Sequence, residues 1–353
     1  MESIFEIIKR ITPPDETARQ LAKTRWDGIA KPLGSLGLFE DMVTKLAALR
    51  SSEELGQMNP ILLVFCADNG VVARGVTQCD SNVTAKVAVA LAEERSSVSS
   101  MARAAGCRVI PVDVGIRDFT GHPGVLDRQV CNGTRDISSG PAMSRHECIK
   151  AMERGAALAM ELAGDGMNLL LIGEMGIGNT TTAAATAAVL LNLPPETLVG
   201  RGAGLSNEGL GRKIRAIKDA IRTNQPNATD PIDVLTKVGG LDLAAMCGAY
   251  LGAAACRTGA VIDGVISSVA ALCAERLCPT AEKAMIASHV SSEPASSAVL
   301  NALGFEAPIH AGLHLGEGSG AVMLLPMLRM ALQLYESGES FESLGIEAYV
   351  PQY

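Results

Sequence analysis

Three stretches of the chain are apolar almost without interruption and stop abruptly at Gly, Asp or Asn. They are ILLVFCADNG (Ile61–Gly70), RVIPVDVG (Arg108–Gly115) and NLLLIGE (Asn168–Glu174). Their lengths and β-branched content predict strands. The lack of alternation predicts strands buried on both faces, as in a parallel sheet covered by helices. GAVIDG (Gly259–Gly264) and KAMIASHVS (Lys283–Ser291) are weaker examples of the same pattern. Between the runs lie longer, Ala-rich segments with helical character: Thr84–Ala105, Arg145–Ala163, Thr180–Leu191, Asp242–Ala255 and Gly320–Leu334. Strands alternating with helices predict an open α/β parallel sheet flanked by helices. In such sheets ligands bind beyond the carboxyl ends of the strands, where Asp68, Glu174 and Asp263 fall.

The pattern weakens at both ends. The opening MESIFEIIKRI interleaves Ile4, Phe5, Ile7, Ile8 and Ile11 with charges, which predicts a short amphipathic helix without a signal-peptide core. Residues 1–30 together with 331–353 are expected to form a small helical lobe beside an α/β domain over 31–330. Leu251–Ala274 is mildly apolar, but Arg257 and Asp263 argue against a membrane span. Aromatic residues make up only 3% of the 353, so the core must be filled by Ala, Val, Ile, Leu and Met. The net charge of −8 argues against a nucleic-acid partner and means that local features must attract any anion. The nine cysteines are odd in number and lack CxxC spacing, which fits reduced thiols in a cytoplasmic protein.

Candidate chemistry concentrates in glycine-rich turns. In GEMGIGNTT (Gly173–Thr181), Gly173, Gly176 and Gly178 let backbone approach a ligand, and Asn179, Thr180 and Thr181 stand where they can cap the next helix. A helix start attracts an anion. The P-loop lysine and the third glycine of a dinucleotide fingerprint are both missing, so a small phosphate monoester fits better. The plain alternative is a capped helix after a tight turn. GRGAGLSNEGLGRK (Gly200–Lys213) offers Gly202, Gly204 and a cation at Lys213, or merely a loop and a surface lysine. KVGGLDL (Lys237–Leu243) suggests a turn with Asp242 as a helix cap. In HLGEGSGA (His314–Ala321) glycines flank Glu317, so a ligand can reach its carboxylate, and burial would raise its pKa toward that of a useful base. A helix-capping role is the alternative. His310 and His314 stand at i, i+4 without the HExxH glutamate, a poor basis for a metal site. His289 reads as a site-lining or satisfied structural group.

In order along the chain, KPLGSLG (Lys31–Gly37), CADNGV (Cys66–Val71), VDVGI (Val112–Ile116), GPAM (Gly140–Met143), GEMGIGNTT, NQPN (Asn224–Asn227), KVGGLDL and LGEGSGA resemble one family. It is the nicotinate-nucleotide–dimethylbenzimidazole phosphoribosyltransferases of cobalamin lower-ligand assembly. The resemblance implies a Rossmann-like α/β domain, a small helical lobe and a dimer with active sites near the subunit interface. It implies transfer of 5-phosphoribosyl from nicotinate mononucleotide to an aromatic lower base, with nicotinate released and an α-ribotide formed. By resemblance Glu317 is the general base. Gly176, Asn179, Thr180, Gly202, Lys213 and Ser291 surround the phosphate, Asp263 and Gly264 face the ribose, and Cys79, Val87, Glu174, Met175 and Leu315 form the lower-base pocket. No cofactor or metal is implied: the cationic nicotinate ring leaves unaided, and neither substrate carries a pyrophosphate.

Members that use dimethylbenzimidazole usually carry Ser and Gln where Cys79 and Val87 stand, and Asn69 occupies a position that is often His. A polar ring edge left without partners there costs about 1–3 kcal/mol per group. A phenol or p-cresol is therefore expected as the base. Family members of that kind work as heterodimers of paralogous subunits, so a homodimer and a heterodimer both stand as expectations. A non-catalytic supporting subunit is the alternative function, opposed by the presence of Glu317, Lys213 and the GEMGIGNTT loop. A nicotinamide-dinucleotide oxidoreductase ranks last, because GxGxxG with its later acidic residue is missing.

Overall fold

The computed structural model describes residues 2–202 and 204–350. Its centre is a parallel sheet of β1 (Pro60–Ala67), β2 (Arg108–Gly115), β3 (Leu126–Asp127), β4 (Leu169–Met175), β5 (Gly259–Ile262) and β6 (Met285–Ala287). The spatial order is β3-β2-β1-β4-β5-β6. All five apolar runs became strands. Only β3 was missed, a two-residue edge strand too short to leave a periodic signal. Leu63 lies between Ile110 of β2 and Ile172 of β4, so the register brings apolar side chains into line across the sheet.

Alternation along the strands divides the core. Leu63, Phe65, Leu170 and Ile172 face helices Arg145–Gly164, Leu241–Ala255 and Val265–Leu277. Leu62, Val64, Leu169 and Leu171 face helices Leu38–Arg50, Asn82–Ala92, Ser97–Ala104 and Ser319–Ser337. With few aromatics available, helices approach closely. A methyl group at Gly155 or Gly248 would overlap the backbone of the opposing helix, at Ala245 and Met152 respectively.

The terminal segments pack on both faces. Ile4 and Ile7 are buried with the first group, whereas Trp26, from helix Glu16–Gly28, lies against Tyr335 at a centroid distance of 5.1 Å. One expected element is corrected. Thr84–Ala105 is two helices, because Glu94 adopts a left-handed φ of 55° and Ser96 starts a new helix by accepting the Ser99 N–H at 3.1 Å.

Chain order reverses between β1 and β4. From β1 the strands proceed to β2 and β3 on one side, and β4 to β6 lie on the other. This is the switch point at which doubly wound sheets open a crevice beyond their carboxyl ends.

Candidate active site

A cavity of about 210 Å³ opens at that crevice. The GEMGIGNTT turn forms its floor, Gly316–Glu317 one wall, Asp263–Ser267 and His289–Glu293 another, and Val76–Cys79 its rim. Glu317, Gly176, Asn179, Thr180, Gly202, Asp263, Gly264 and Ser291 all line it, as do Cys79, Glu174, Met175 and Leu315. Lys213 stands behind the wall and reaches it through Thr180. Val87 is half-buried in the core under the rim rather than in the cavity lining.

Glu317 has an unusual mount. Its φ is 58°, between Gly316 at 81° and Gly318 at 84°. A non-glycine residue in this region costs about 1–3 kcal/mol and persists only where its surroundings enforce it. Two strand ends supply the constraint. Gly173 of β4 lacks a side chain where one would press within 2.6 Å of Gly318 N and 2.7 Å of the Glu317 carbonyl carbon. At the end of β5, Asp263 Oδ2 accepts the Gly318 N–H at 3.2 Å, and Oδ1 accepts those of Gly320 and Ala321 at 2.8 and 3.1 Å. Asp263, expected to face the ribose, thus also holds the start of helix Ser319–Ser337.

The Glu317 carboxylate is half-buried. Desolvation raises its pKa above the ordinary carboxylate range, while the Val98 N–H (3.3 Å) and the Ser96 side chain oppose the shift. The break that divides the predicted long helix therefore aims the start of the second helix at this carboxylate. That is a reason for the break which local sequence does not display.

Glu174 behaves differently. It is fully buried, and desolvation, reinforced by the nearby Asp242, Asp263 and Glu317 carboxylates, pushes its pKa up to about 8. The Asn179 amide donates to Glu174 and, at 3.0 Å, to Asp242, whose own pKa burial raises to about 6. At neutral pH Glu174 is largely protonated, while Glu317 is half-buried and lines the cavity. Carboxyl groups whose surroundings differ in this way are candidates for separate acid and base roles.

Several helix-capping expectations are corrected here. Gly178 and Gly240 begin the two helices without a side-chain cap. Asn179 is drawn away to the buried acids and Thr180 faces Lys213, whereas Asp242 does both: its Oδ1 accepts the Leu243 N–H in the first turn of its own helix at 3.0 Å and its Oδ2 accepts from Asn179. Lys213 is not a surface lysine but is fully buried, donating to Thr180 Oγ1 at 2.9 Å and to the Gly200 carbonyl at 3.1 Å. Burial lowers its pKa to about 8 against the opposing pull of Glu293. Gly202, with φ 54°, brings its backbone beside this pair.

His289 lies with Nδ1 at 3.0 Å from Ser288 Oγ and 4.0 Å from Asp263 Oδ1, in space left by the missing side chain of Gly320. His314 is at the rim on irregular backbone, and among the described residues no three His, Cys, Asp or Glu side chains gather in a metal-binding group. Sequence reasoning missed Gln78, Arg201 and Glu293 as cavity residues. Each is an ordinary polar residue on a loop, and only the tertiary fold brings it to the site.

The arrangement joins a half-buried carboxylate to a hydroxyl and loop amides in one cleft, with an ammonium group directly behind the hydroxyl, a set of groups suited to group transfer from an anionic substrate. Comparison with known proteins gives the same class: the sequence profile of the family described as Phosphoribosyltransferase matches residues 11–346. The chain is 42% identical over 349 residues to the nicotinate-nucleotide–dimethylbenzimidazole phosphoribosyltransferase of Acetivibrio thermocellus, covering 99% of each protein. It is 39% identical over 350 residues to that of Halalkalibacterium halodurans, covering 99% of this chain and 98% of that one. The crystal structure of CobT from Thermus thermophilus matches with a TM-score of 0.89 at 36% identity, covering 94% of this chain and 100% of that one. The chain belongs to the nicotinate-nucleotide–dimethylbenzimidazole phosphoribosyltransferase family. Among the described residues no helix is long and apolar enough to cross a membrane.

Proposed function

We propose that the protein transfers 5-phosphoribosyl from nicotinate mononucleotide to an aromatic lower base of a cobamide. The observation that carries this reading is one cavity lined by Glu317 on one wall and by Thr180 and Gly202, with Lys213 directly behind Thr180. The monoester phosphate sits on Gly176, Asn179, Thr180, Gly202, Lys213 and Ser291, and the ribose lies along Asp263 and Gly264. The incoming base occupies the side of Glu174, Met175, Leu315 and Cys79. As its nitrogen or oxygen bonds to ribose C1, Glu317 takes a proton from the base, from the attacking hydroxyl of a phenol or from the second ring nitrogen of a benzimidazole. The bond to nicotinate breaks, and its electron pair neutralises the ring cation. Attack opposite the departing ring inverts the anomeric centre. Alignment of two bound partners and one proton transfer supply the catalysis.

We place a phenol or p-cresol beside dimethylbenzimidazole as the candidate base. Cys79 offers only a weak thiol at the rim, and a phenol, with a pKa of about 10 like tyrosine, depends strongly on a general base. Leu315 is 51% exposed at the base side of the cavity, as suits a site completed by a second subunit, identical or paralogous. The test is to incubate the protein, alone and with any co-purifying subunit, with nicotinate mononucleotide and a panel of benzimidazoles, purines and phenols. Mass spectrometry should detect an α-ribotide. If no base gives a ribotide, the assignment fails. Cys79→Ser is expected to raise use of dimethylbenzimidazole relative to phenol, and an unchanged ratio would place specificity elsewhere.

The pH dependence has two parts of opposite sign. Turnover rises with pH as Glu317 loses its proton, with the midpoint above the usual carboxylate range because burial raises its pKa. Nucleotide affinity falls as pH climbs through about 8, because Lys213 of the free enzyme loses its charge there. Initial rates across pH should therefore show kcat rising on the acid side and KM rising on the alkaline side. A KM that stays flat through pH 9 would remove Lys213 from the phosphate site.

A further inference from the structure

Glu293 has no part in the reaction just described, yet it is seated among the donors assigned to the phosphate. Its Oε1 accepts the Gly202 N–H at 2.9 Å. Its carboxylate lies so close over Gly200 that a methyl group there would overlap it. A side chain built on Gly202 would lie 3.2 Å from Thr180 Oγ1 and 3.9 Å from Lys213 Nζ, so the seat adjoins both a hydroxyl and an ammonium. Glu293 is also the charge that opposes the lowering of the Lys213 pKa. A carboxylate thus rests on a backbone amide beside a buried cation, with glycines at 200 and 202 leaving it room.

We infer that Glu293 is a stand-in anion at the phosphate subsite and that the nucleotide binds by displacing it. The inference rests on the proposed position of the phosphate. A phosphate dianion and a carboxylate cannot share the Gly202 N–H, and their repulsion in a partly desolvated cleft far exceeds its value in water. The side chain has somewhere to go. It is half-buried, and it forms part of the wall between the reaction cavity and an adjoining cavity of about 610 Å³ bounded by Val199, Leu210, Ser292 and Pro294. Displacement joins the two spaces. Until then Lys213 keeps a counter-charge despite its burial, which would otherwise be costly.

The consequence is substrate discrimination. A dianionic phosphate replaces the carboxylate with an equivalent or better set of charge-assisted bonds. A nucleoside without the phosphate cannot, and so faces a closed subsite. Some nucleotide affinity is given up, because the competent state is only part of the free population.

The experiment measures inorganic phosphate binding by calorimetry and KM for nicotinate mononucleotide in the intact protein. The variants are Glu293→Gln, Glu293→Ala and Lys213→Met, with thermal melts to confirm folding. Both Glu293 variants are expected to bind phosphate about tenfold more tightly, as when one charge-assisted bond no longer has to be displaced, and to lower KM in parallel. Phosphate binding that is unchanged or weaker in both would overturn the inference. Lys213→Met separates the two levels of argument. If it weakens phosphate and nucleotide while the Glu293 variants change neither, displacement alone is refuted. If phosphate fails to compete with the nucleotide and Lys213→Met leaves KM unchanged, the subsite itself is misplaced and both readings fall.

Discussion

Replacing Glu317 with Gln is expected to lower kcat by at least about a hundredfold, the smaller end of what general-base removal costs. The amide keeps the shape of the carboxylate and can still accept the Val98 N–H, so the fold and KM for nicotinate mononucleotide should hold. The acid limb of the kcat profile should vanish, because the group whose ionisation produces it is gone. The loss should be larger for a phenol than for a base with a more acidic proton. Glu174 is a poor substitute, since burial keeps it largely protonated near neutrality with a pKa of about 8. A variant with near-wild-type turnover and an unchanged pH profile would remove Glu317 from its role.

The second large effect arises at a residue with no side chain. Gly173→Ala should reduce turnover by roughly ten- to a hundredfold, because a displacement on the order of 1 Å at a catalytic group can cost that much. A methyl group at Gly173 would lie 2.6–2.8 Å from the backbone of Glu317 and Gly318, and backbone cannot rotate away as a side chain can. The Gly316–Gly318 turn must lift from the sheet, straining its bonds to Asp263. Overpacking of this kind typically costs about 1–3 kcal/mol, so the melting temperature should fall as well. The measurement that isolates the catalytic part is KM against kcat in folded variant. The clash falls on Glu317 and Gly318, whereas the residues proposed for the phosphate, Gly176, Asn179 and Thr180, lie further along the turn, so KM should change less than kcat. Loss of nucleotide affinity with turnover intact would show that Gly173 acts on the substrate, not on the base.

Much of this was legible in the sequence, for identifiable reasons. A strand buried on both faces needs an unbroken apolar run, so β1, β2 and β4 announce themselves, and even the three-residue β6 lies within an apolar segment. The strand ends carry Asp68, Glu174 and Asp263 as the pattern implied. Glycines around Glu317 and after β4 marked the places where backbone must turn sharply. What stayed hidden was whatever depends on partners remote in sequence. Nothing near Gly173 shows that it makes room for residues 316–318. Asn179 and Thr180 look like helix caps to any local rule, and buried partners from other elements draw both of them elsewhere, while Asp242 keeps a bond to its own helix and adds one to Asn179. Lys213 looks like a surface lysine until helix Asn207–Asn224 packs beneath Gly200. The Glu94–Ser96 break was visible only as a polar interruption, yet it points a helix start at the Glu317 carboxylate.

The scarcity of aromatic residues has a practical side. Trp26 is the single indole in the chain; it is 1% exposed, packed against Tyr335 with the rings tilted by 55°, and the Lys31 ammonium lies 5.2 Å from its ring. Ultraviolet excitation at the red edge of the indole band, where the four tyrosines do not absorb, therefore interrogates one spot, the junction of helix Glu16–Gly28 with the end of helix Ser319–Ser337. Its emission is a built-in gauge of whether the two chain ends are docked, readable without any label.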